Sequence, residues 1–161
     1  MTKLQIFTFF FKNVGYNENM NTSEITFPLE RSEVVSLLQQ HKISPTRQRV
    51  EIAEFLFQRP QHLSAEKILE GVTRAGNRVS RATVYNTMGL FANKGVVREV
   101  LIDRERVFYD SNTAVHHHLY NVDTGELIDV FDAETSTITL PELPEGLKIV
   151  DTDVVFKVTS R

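Results

Sequence analysis

Three of the five histidines in this chain stand in one run, at His116, His117 and His118. If the run begins a β-strand, His116 and His118 point to one face and His117 to the other. Asp110 precedes the run by a short polar turn and could fold back toward the same face. Two imidazoles and a carboxylate suit zinc, iron or manganese. We therefore predict a hinge that carries metal ligands, the alternative being a loop of solvated polar residues.

The chain contains no cysteine, which excludes disulfides, thiolate zinc sites and cysteine nucleophiles. Any metal must be held by nitrogen and oxygen, and a reducing cytoplasmic location is expected. Charge is divided unevenly: residues 31–110 carry 13 Lys and Arg against 9 Asp and Glu, whereas residues 111–161 carry 3 against 9. The basic middle region suggests a polyanion partner such as nucleic acid, and the acidic remainder would be repelled by phosphate.

Residues 1–27 combine an apolar run with an asparagine-rich stretch. The apolar run is far shorter than the roughly 20 residues that a membrane-spanning helix needs, and no small-residue cleavage site follows it. We expect an N-terminal extension that could be disordered and no membrane association. Met20 could be the functional start.

The middle of the chain predicts helices followed by a hairpin. The expected helices cover residues 30–42, 45–59, 65–75 and 81–94. The expected N-cap residues of the last three helices are Ser44, Ser64 and Ser80. The expected strands cover residues 96–101 and 106–109. Three helices, a recognition-type helix and a hairpin are typical of a winged helix. We predict such a DNA-binding domain over residues 28–110, the alternative being a helical domain with an incidental hairpin.

The fourth helix has two distinct faces at 100° per residue. One face is apolar and is predicted to be buried: Val84, Thr87, Met88 and Phe91. The opposite face is small, polar and aromatic, and it is predicted to enter a DNA groove: Ala82, Tyr85, Asn86 and Gly89.

Residues 111–161 predict three strands, at 119–122, 127–131 and 147–158, with a short helical turn at 132–137. About 50 residues is small for a self-sufficient core. We therefore predict a dimerisation and metal-sensing domain whose sheet is covered by a second copy, which would pair two winged helices for a palindromic site. The expected fold class is α+β: an N-terminal winged helix-turn-helix domain followed by a small three-stranded α/β dimerisation domain.

Several blocks together resemble the ferric uptake regulator family of metal-dependent transcription factors, over residues 30–159. In chain order they are Thr46-Arg47-Gln48-Arg49-Val50, His62-Leu63-Ser64-Ala65-Glu66, the run from Arg81 to Thr87 with Gly95-Val96-Val97, and the histidine run. Any one block alone is a weak signal, whereas the ordered set is specific.

The resemblance implies five ligands for one divalent ion per chain (Fe, Mn or Zn): His62, Asp110, His116, His118 and Asp129. His62 would come from the loop before the third helix, and Asp110 matches the hinge carboxylate of the peroxide-sensing branch. The ion would be bound by both domains. A metal that binds only one interdomain geometry shifts the population toward that geometry.

This chain also departs from the family pattern. Asn121 and Thr124 occupy positions of a Cys-X-X-Cys pair, so the usual structural zinc–cysteine site is absent. The short segment after Asp129 and the proline-rich ending resemble the iron response regulator branch, in which haem is an implied effector. Haem is a candidate second to a divalent metal, and it would depend on His116, His117 or His118.

The resulting hypothesis is a dimeric DNA-binding regulator that responds to iron, manganese or haem and represses metal-homeostasis or oxidative-stress genes. Tyr85, Asn86 and Ala82 are the expected contacts to AT-rich palindromic DNA, with Arg81 and Arg49 positioning its backbone. One alternative is a metal or haem carrier without DNA binding. A metalloenzyme is the other, but five protein ligands leave little open coordination. The sequence leaves open the effector, its effect on DNA binding and the operator.

Overall fold

A computed structural model describes residues 25–114, 116–130, 141–150 and 152–160. The elements, in chain order, are α1 (Arg31–Gln40), α2 (Arg47–Leu56), β1 (His62–Leu63), α3 (Ala65–Arg74), α4 (Arg81–Asn93), β2 (Arg98–Leu101), β3 (Val107–Asp110), β4 (His117–Asn121), β5 (Leu127–Val130) and β6 (Val155–Val158). Helices, a wing-type hairpin and a separate small sheet confirm the predicted α+β class. The helical turn expected at 132–137 and residues 1–24 of the expected extension lie outside the described residues.

The first unit packs its four described helices around one apolar core, beside a sheet of order β1-β3-β2. Phe57 and Phe91 are the largest fully buried side chains of this core. Ser64 and Ser80 cap α3 and α4 as predicted, by accepting backbone N–H groups of the first turn. None of the helices in the described ranges is long and apolar enough to cross a lipid bilayer.

The start of α2 differs from the prediction. Thr46, and not Ser44, is the N-cap residue, and Arg47 is the first helical residue. The Ser44 carbonyl accepts the amide of Thr46 and the guanidinium of Arg49, which commits this residue to the preceding turn. The first helical hydrogen bond therefore runs from the Val50 amide to the Thr46 carbonyl, at 3.0 Å.

The second sheet has the order β5-β4-β6, with β4 antiparallel to β5 and parallel to β6. The predicted strand over 147–158 is wrong in length, since among the described residues of this range the strand comprises Val155–Val158. β6 pairs with the four residues of β4 from His118 to Asn121. Leu147 and Val150, which were expected to be in the strand, are exposed.

One face of the second sheet packs against the wing formed by β2 and β3. Tyr120 and Leu127 from the sheet share a buried apolar cluster with Val100 and Ile102 of the wing. Arg106 also donates from Nη1 to the Tyr120 hydroxyl at 2.5 Å. This packing brings the end of β3 close to the start of β4, where the candidate site lies.

Candidate metal centre and nucleic-acid interface

Two cross-strand pairs supply four of the five candidate ligands. In the wing sheet, His62 of β1 lies opposite Asp110 of β3, and in the second sheet, His118 of β4 lies opposite Asp129 of β5. Opposed residues of an antiparallel pair carry their side chains on the same face. Each sheet therefore presents one imidazole and one carboxylate. His116 joins them from the residue before β4.

His62 lies on a strand, whereas the sequence indicated a loop. β1 is only two residues long, so it carries no alternation that could be recognised. Its pairing with β3 fixes the His62 backbone against Asp110. A ligand expected in a loop is thus held by a sheet.

The ligand atoms of the five residues lie within 4.8 Å of one another. Asp110 Oδ2 is 2.9 Å from His116 Nε2, 3.4 Å from His62 Nε2 and 3.6 Å from His118 Nε2. Asp129 Oδ1 lies 2.7 Å from His62 Nε2 on the other side. The structure thus brings together all five residues of the predicted ligand set.

The converging atoms are buried. Asp110, His116 and His118 have no exposed surface. Within the part of the chain that the structure describes, Asp110 Oδ2, Asp129 Oδ1 and the Nε2 atoms of His62 and His118 make no hydrogen bond outside the cluster. Because the set combines nitrogen and oxygen lone pairs directed at one point, the residues fit a divalent ion such as Mn²⁺, Fe²⁺ or Zn²⁺.

Neighbouring groups orient two of the ligands. His116 Nδ1 lies 2.8 Å from the carbonyl oxygen of Ala114, which can only accept a hydrogen bond, so Nδ1 carries the proton and Nε2 faces the cluster. Asp110 Oδ1 accepts the amide N–H of Asn112 at 2.8 Å, which directs Oδ2 toward the histidines. The ligand geometry is therefore prepared by the hinge backbone.

The charges of the cluster are strongly coupled. Burial disfavours protonation of His62 and His116, but the Asp110 and Asp129 carboxylates outweigh it and raise the pKa of His62 to about 9 and that of His116 to about 10. Burial opposes ionisation of Asp110 as well, yet the imidazoles hold its pKa well below the usual range. The positive charges of protonated His62 and His116 thus balance the negative charges of the Asp110 and Asp129 carboxylates. A bound cation would release these protons.

The three histidines of the run have different surroundings. His116 and His118 are enclosed in the cluster, whereas His117 is 8% exposed and its buried Nδ1 makes no hydrogen bond among the described residues. If His116 or His118 were to hold a haem iron instead, that imidazole would no longer be available to the cluster. The geometry therefore favours a divalent ion over haem as the ligand of this site.

Helix α4 has the two faces that the sequence predicted. The buried face consists of Val84, Thr87, Met88 and Phe91. The outward face consists of Ala82, Tyr85, Asn86 and Gly89, all exposed. Tyr85 is the largest of these, and 41% of its surface is accessible.

The Tyr85 hydroxyl is not free on this face, because it donates a hydrogen bond to the Glu66 carboxylate at the start of α3. Arg81 Nη1 lies 3.8 Å from the same carboxylate. The hydroxyl is therefore unavailable to phosphate in this arrangement, and the ring is the part of Tyr85 that is presented. The sequence pattern did not single out Glu66, which lies 19 positions away from Tyr85.

The predicted backbone-positioning arginines differ in accessibility. Arg81 is exposed, whereas Arg49 is partly buried and donates to the Ser44 carbonyl at 3.0 Å. Arg47 and Arg78 are exposed instead. Arg47 is the first residue of α2, and exposed arginines of this kind suit contact with phosphate.

Known proteins resemble both the sequence and the fold. The Ferric uptake regulator family matches residues 30–157. The Ferric uptake regulation protein of Pseudomonas aeruginosa is 33% identical over 129 residues, which cover 78% of this chain and 96% of that protein. The Peroxide-responsive repressor PerR of Staphylococcus aureus is 29% identical over 100 residues, which cover 62% of this chain and 68% of that protein.

A solved structure gives the same result in three dimensions. The Ferric uptake regulator from Pseudomonas aeruginosa with manganese superposes with a TM-score of 0.63 at 29% sequence identity, covering 78% of this chain and 96% of that chain. The family match spans most of the sequence, from α1 to β6. This chain therefore belongs to the ferric uptake regulator family.

Proposed function

We propose that this protein is a dimeric, non-enzymatic regulator of transcription whose affinity for double-stranded DNA is set by one divalent metal ion per chain. One observation carries the proposal: the candidate ligands come from both sheets, with His62 and Asp110 on the wing sheet, His118 and Asp129 on the second sheet, and His116 directly before β4. A cation that needs all five ligands favours the arrangement of the two parts in which they meet. When bound, the ion supplies the positive charge that holds these donors together.

The DNA-binding surface is proposed to be the exposed face of α4. Tyr85, Asn86 and Ala82 would contact base edges. The exposed arginines Arg81, Arg47 and Arg78 would contact phosphates. Arg49 would act indirectly, by holding the turn before α2 through the Ser44 carbonyl. Repression is the expected mode, since the Staphylococcus aureus relative is named a repressor. The protein would act in the cytoplasm, where its DNA is.

The dimer interface is proposed to be the face of the second sheet that points away from the wing. Leu119, Ile128 and Phe156 lie side by side across the three strands. Ile128 and Phe156 are 49% and 40% exposed. An apolar row on so small a sheet is typical of an interface. A second copy would bury it and pair two α4 helices for a palindromic site.

Two charges on this row should separate the subunits. The double variant Ile128→Glu with Phe156→Glu is expected to sediment as a monomer at concentrations where the wild type is a dimer, because carboxylates would have to be buried unpaired. Sedimentation velocity measures the change. Leu101→Glu, on a more exposed apolar residue of the wing, is the control and should stay dimeric. A dimeric double variant would place the interface elsewhere.

Fluorescence anisotropy tests the proposed function as a whole. An AT-rich palindromic duplex, selected from a random pool, is titrated with protein at fixed salt, first without metal, then with Mn²⁺ or Fe²⁺, then with haem. We expect a divalent ion to change the DNA affinity by at least about tenfold. Failure to select any DNA under these conditions would contradict the proposal and favour a metal carrier, and turnover by the metal-loaded protein would favour an enzyme.

A further inference from the structure

Asp153 lies behind His118, on the side of the ring that faces away from the cluster. Its Oδ1 is 3.4 Å from His118 Nδ1. The His118 side chain has no exposed surface, whereas that of Asp153 is 28% exposed. Asp153 is far from the other site residues in sequence and belongs to the loop before β6, so no pattern pointed to it.

We infer that Asp153 is a positioning residue that holds the His118 ring with Nε2 facing the metal; this inference rests on the proposed metal site. A carboxylate beside Nδ1 keeps the proton on that nitrogen, so the lone pair of Nε2 is available to the ion. Among the described residues, the Ala114 carbonyl does this for His116 at 2.8 Å. Asp153 is the group placed to do it for His118.

The backbone around Asp153 supports this role. The carbonyl of Val154 accepts the His118 amide at 3.0 Å, and β6 begins at Val155, directly beside His118. Asp153 is therefore held next to β4, the strand that carries the ligand it orients, because the residue that follows it is hydrogen-bonded to His118. The separation of 3.4 Å exceeds that of a good hydrogen bond, so a small movement of this segment would close it.

The same segment also contacts the wing. Arg98 Nη2 donates to the carbonyl of Thr152 at 3.4 Å, and Arg98 lies opposite the ligand Asp110 in the wing sheet. Asp153 thus follows Thr152, which contacts Arg98 of β2, and lies beside the candidate ligand His118 of β4. The segment that carries Asp153 is therefore in contact with both sheets.

The test compares Asp153→Ala and Asp153→Asn with Glu126→Gln, which removes an exposed carboxylate from the β4–β5 turn. Mn²⁺ affinity is measured by calorimetry on full-length protein. Loss of a residue that orients a ligand lowers metal affinity by about 10- to 100-fold. We expect that loss for Asp153→Ala, a smaller loss for Asp153→Asn, which keeps an acceptor oxygen, and no loss for Glu126→Gln.

A second measurement separates positioning from general stability. In Zn²⁺-loaded protein with ¹⁵N-labelled histidine, the Nδ1–H signals of His116 and His118 should both be visible in the wild type. Asp153→Ala should lose only the His118 signal, with His116 as the internal control. Unchanged Mn²⁺ affinity, or the joint loss of both signals, would overturn the inference. A wild type that binds neither Mn²⁺, Fe²⁺ nor Zn²⁺ would instead contradict the proposed function and remove the basis of this inference.

Discussion

Asp110→Asn should nearly abolish metal binding, with a loss of Mn²⁺ affinity of at least about 100-fold. Removal of a residue that only orients a ligand already lowers metal affinity by about 10- to 100-fold. Asp110 is itself one of the five candidate ligands. Its Oδ2 faces all three imidazoles, and its side chain is buried. The amide would remove the charge and could turn an N–H toward the ion. Calorimetry on metal-stripped protein measures the loss.

The matched control is Asp103→Asn, an aspartate of the same wing. Asp103 is partly exposed and pairs with Arg106 near the surface, where an ion pair contributes little to stability. Its replacement should leave Mn²⁺ affinity unchanged. Asp110→Asn should also remove the response of DNA binding to Mn²⁺. If Asp110→Asn bound Mn²⁺ as tightly as the wild type, the regulatory ion would have to be held elsewhere.

Local patterns predicted the DNA-binding half well because each element there has its own signal. The faces of α4 follow from a periodicity that burial enforces, with Val84 and Met88 inside and Tyr85 outside. Ser64 and Ser80 predicted two helix starts because capping is a local hydrogen bond. Ser44 failed as a cap because its carbonyl is used by Arg49, a contact that depends on the folded turn.

The residues of the candidate metal cluster were predicted from the sequence, but their arrangement in space could not be predicted from it. The resemblance named His62 and Asp129, yet their approach to 2.7 Å depends on the packing of two separate sheets. The length of β6 also depends on pairing between distant strands, since its four residues are those that pair with His118 to Asn121 of β4. Asp153 and Glu66 act through contacts over long sequence separation, for which a single sequence carries no periodic signal.

Tyr85→Ala should remove specific DNA binding while leaving Mn²⁺ affinity unchanged. A good base contact contributes about 1–3 kcal/mol of discrimination, so specific affinity should fall on the order of 10- to 100-fold. The control is Asn93→Ala, at the exposed end of the same helix, which should bind DNA as the wild type does. Anisotropy gives the DNA affinity and calorimetry the metal affinity. Loss of both would mean that Tyr85 has a structural role.

Tyr85→Phe then distinguishes the ring from the hydroxyl. The hydroxyl donates to Glu66, so its removal frees the Glu66 carboxylate and leaves the aromatic face in place. If the ring contacts thymine methyl groups, Tyr85→Phe should keep most of the DNA affinity that Tyr85→Ala loses. If the two variants are equally weak, binding depends on the Tyr85–Glu66 hydrogen bond. Adding Glu66→Gln to either variant should then not restore DNA affinity, because the Tyr85 hydroxyl that donates to residue 66 is absent from both.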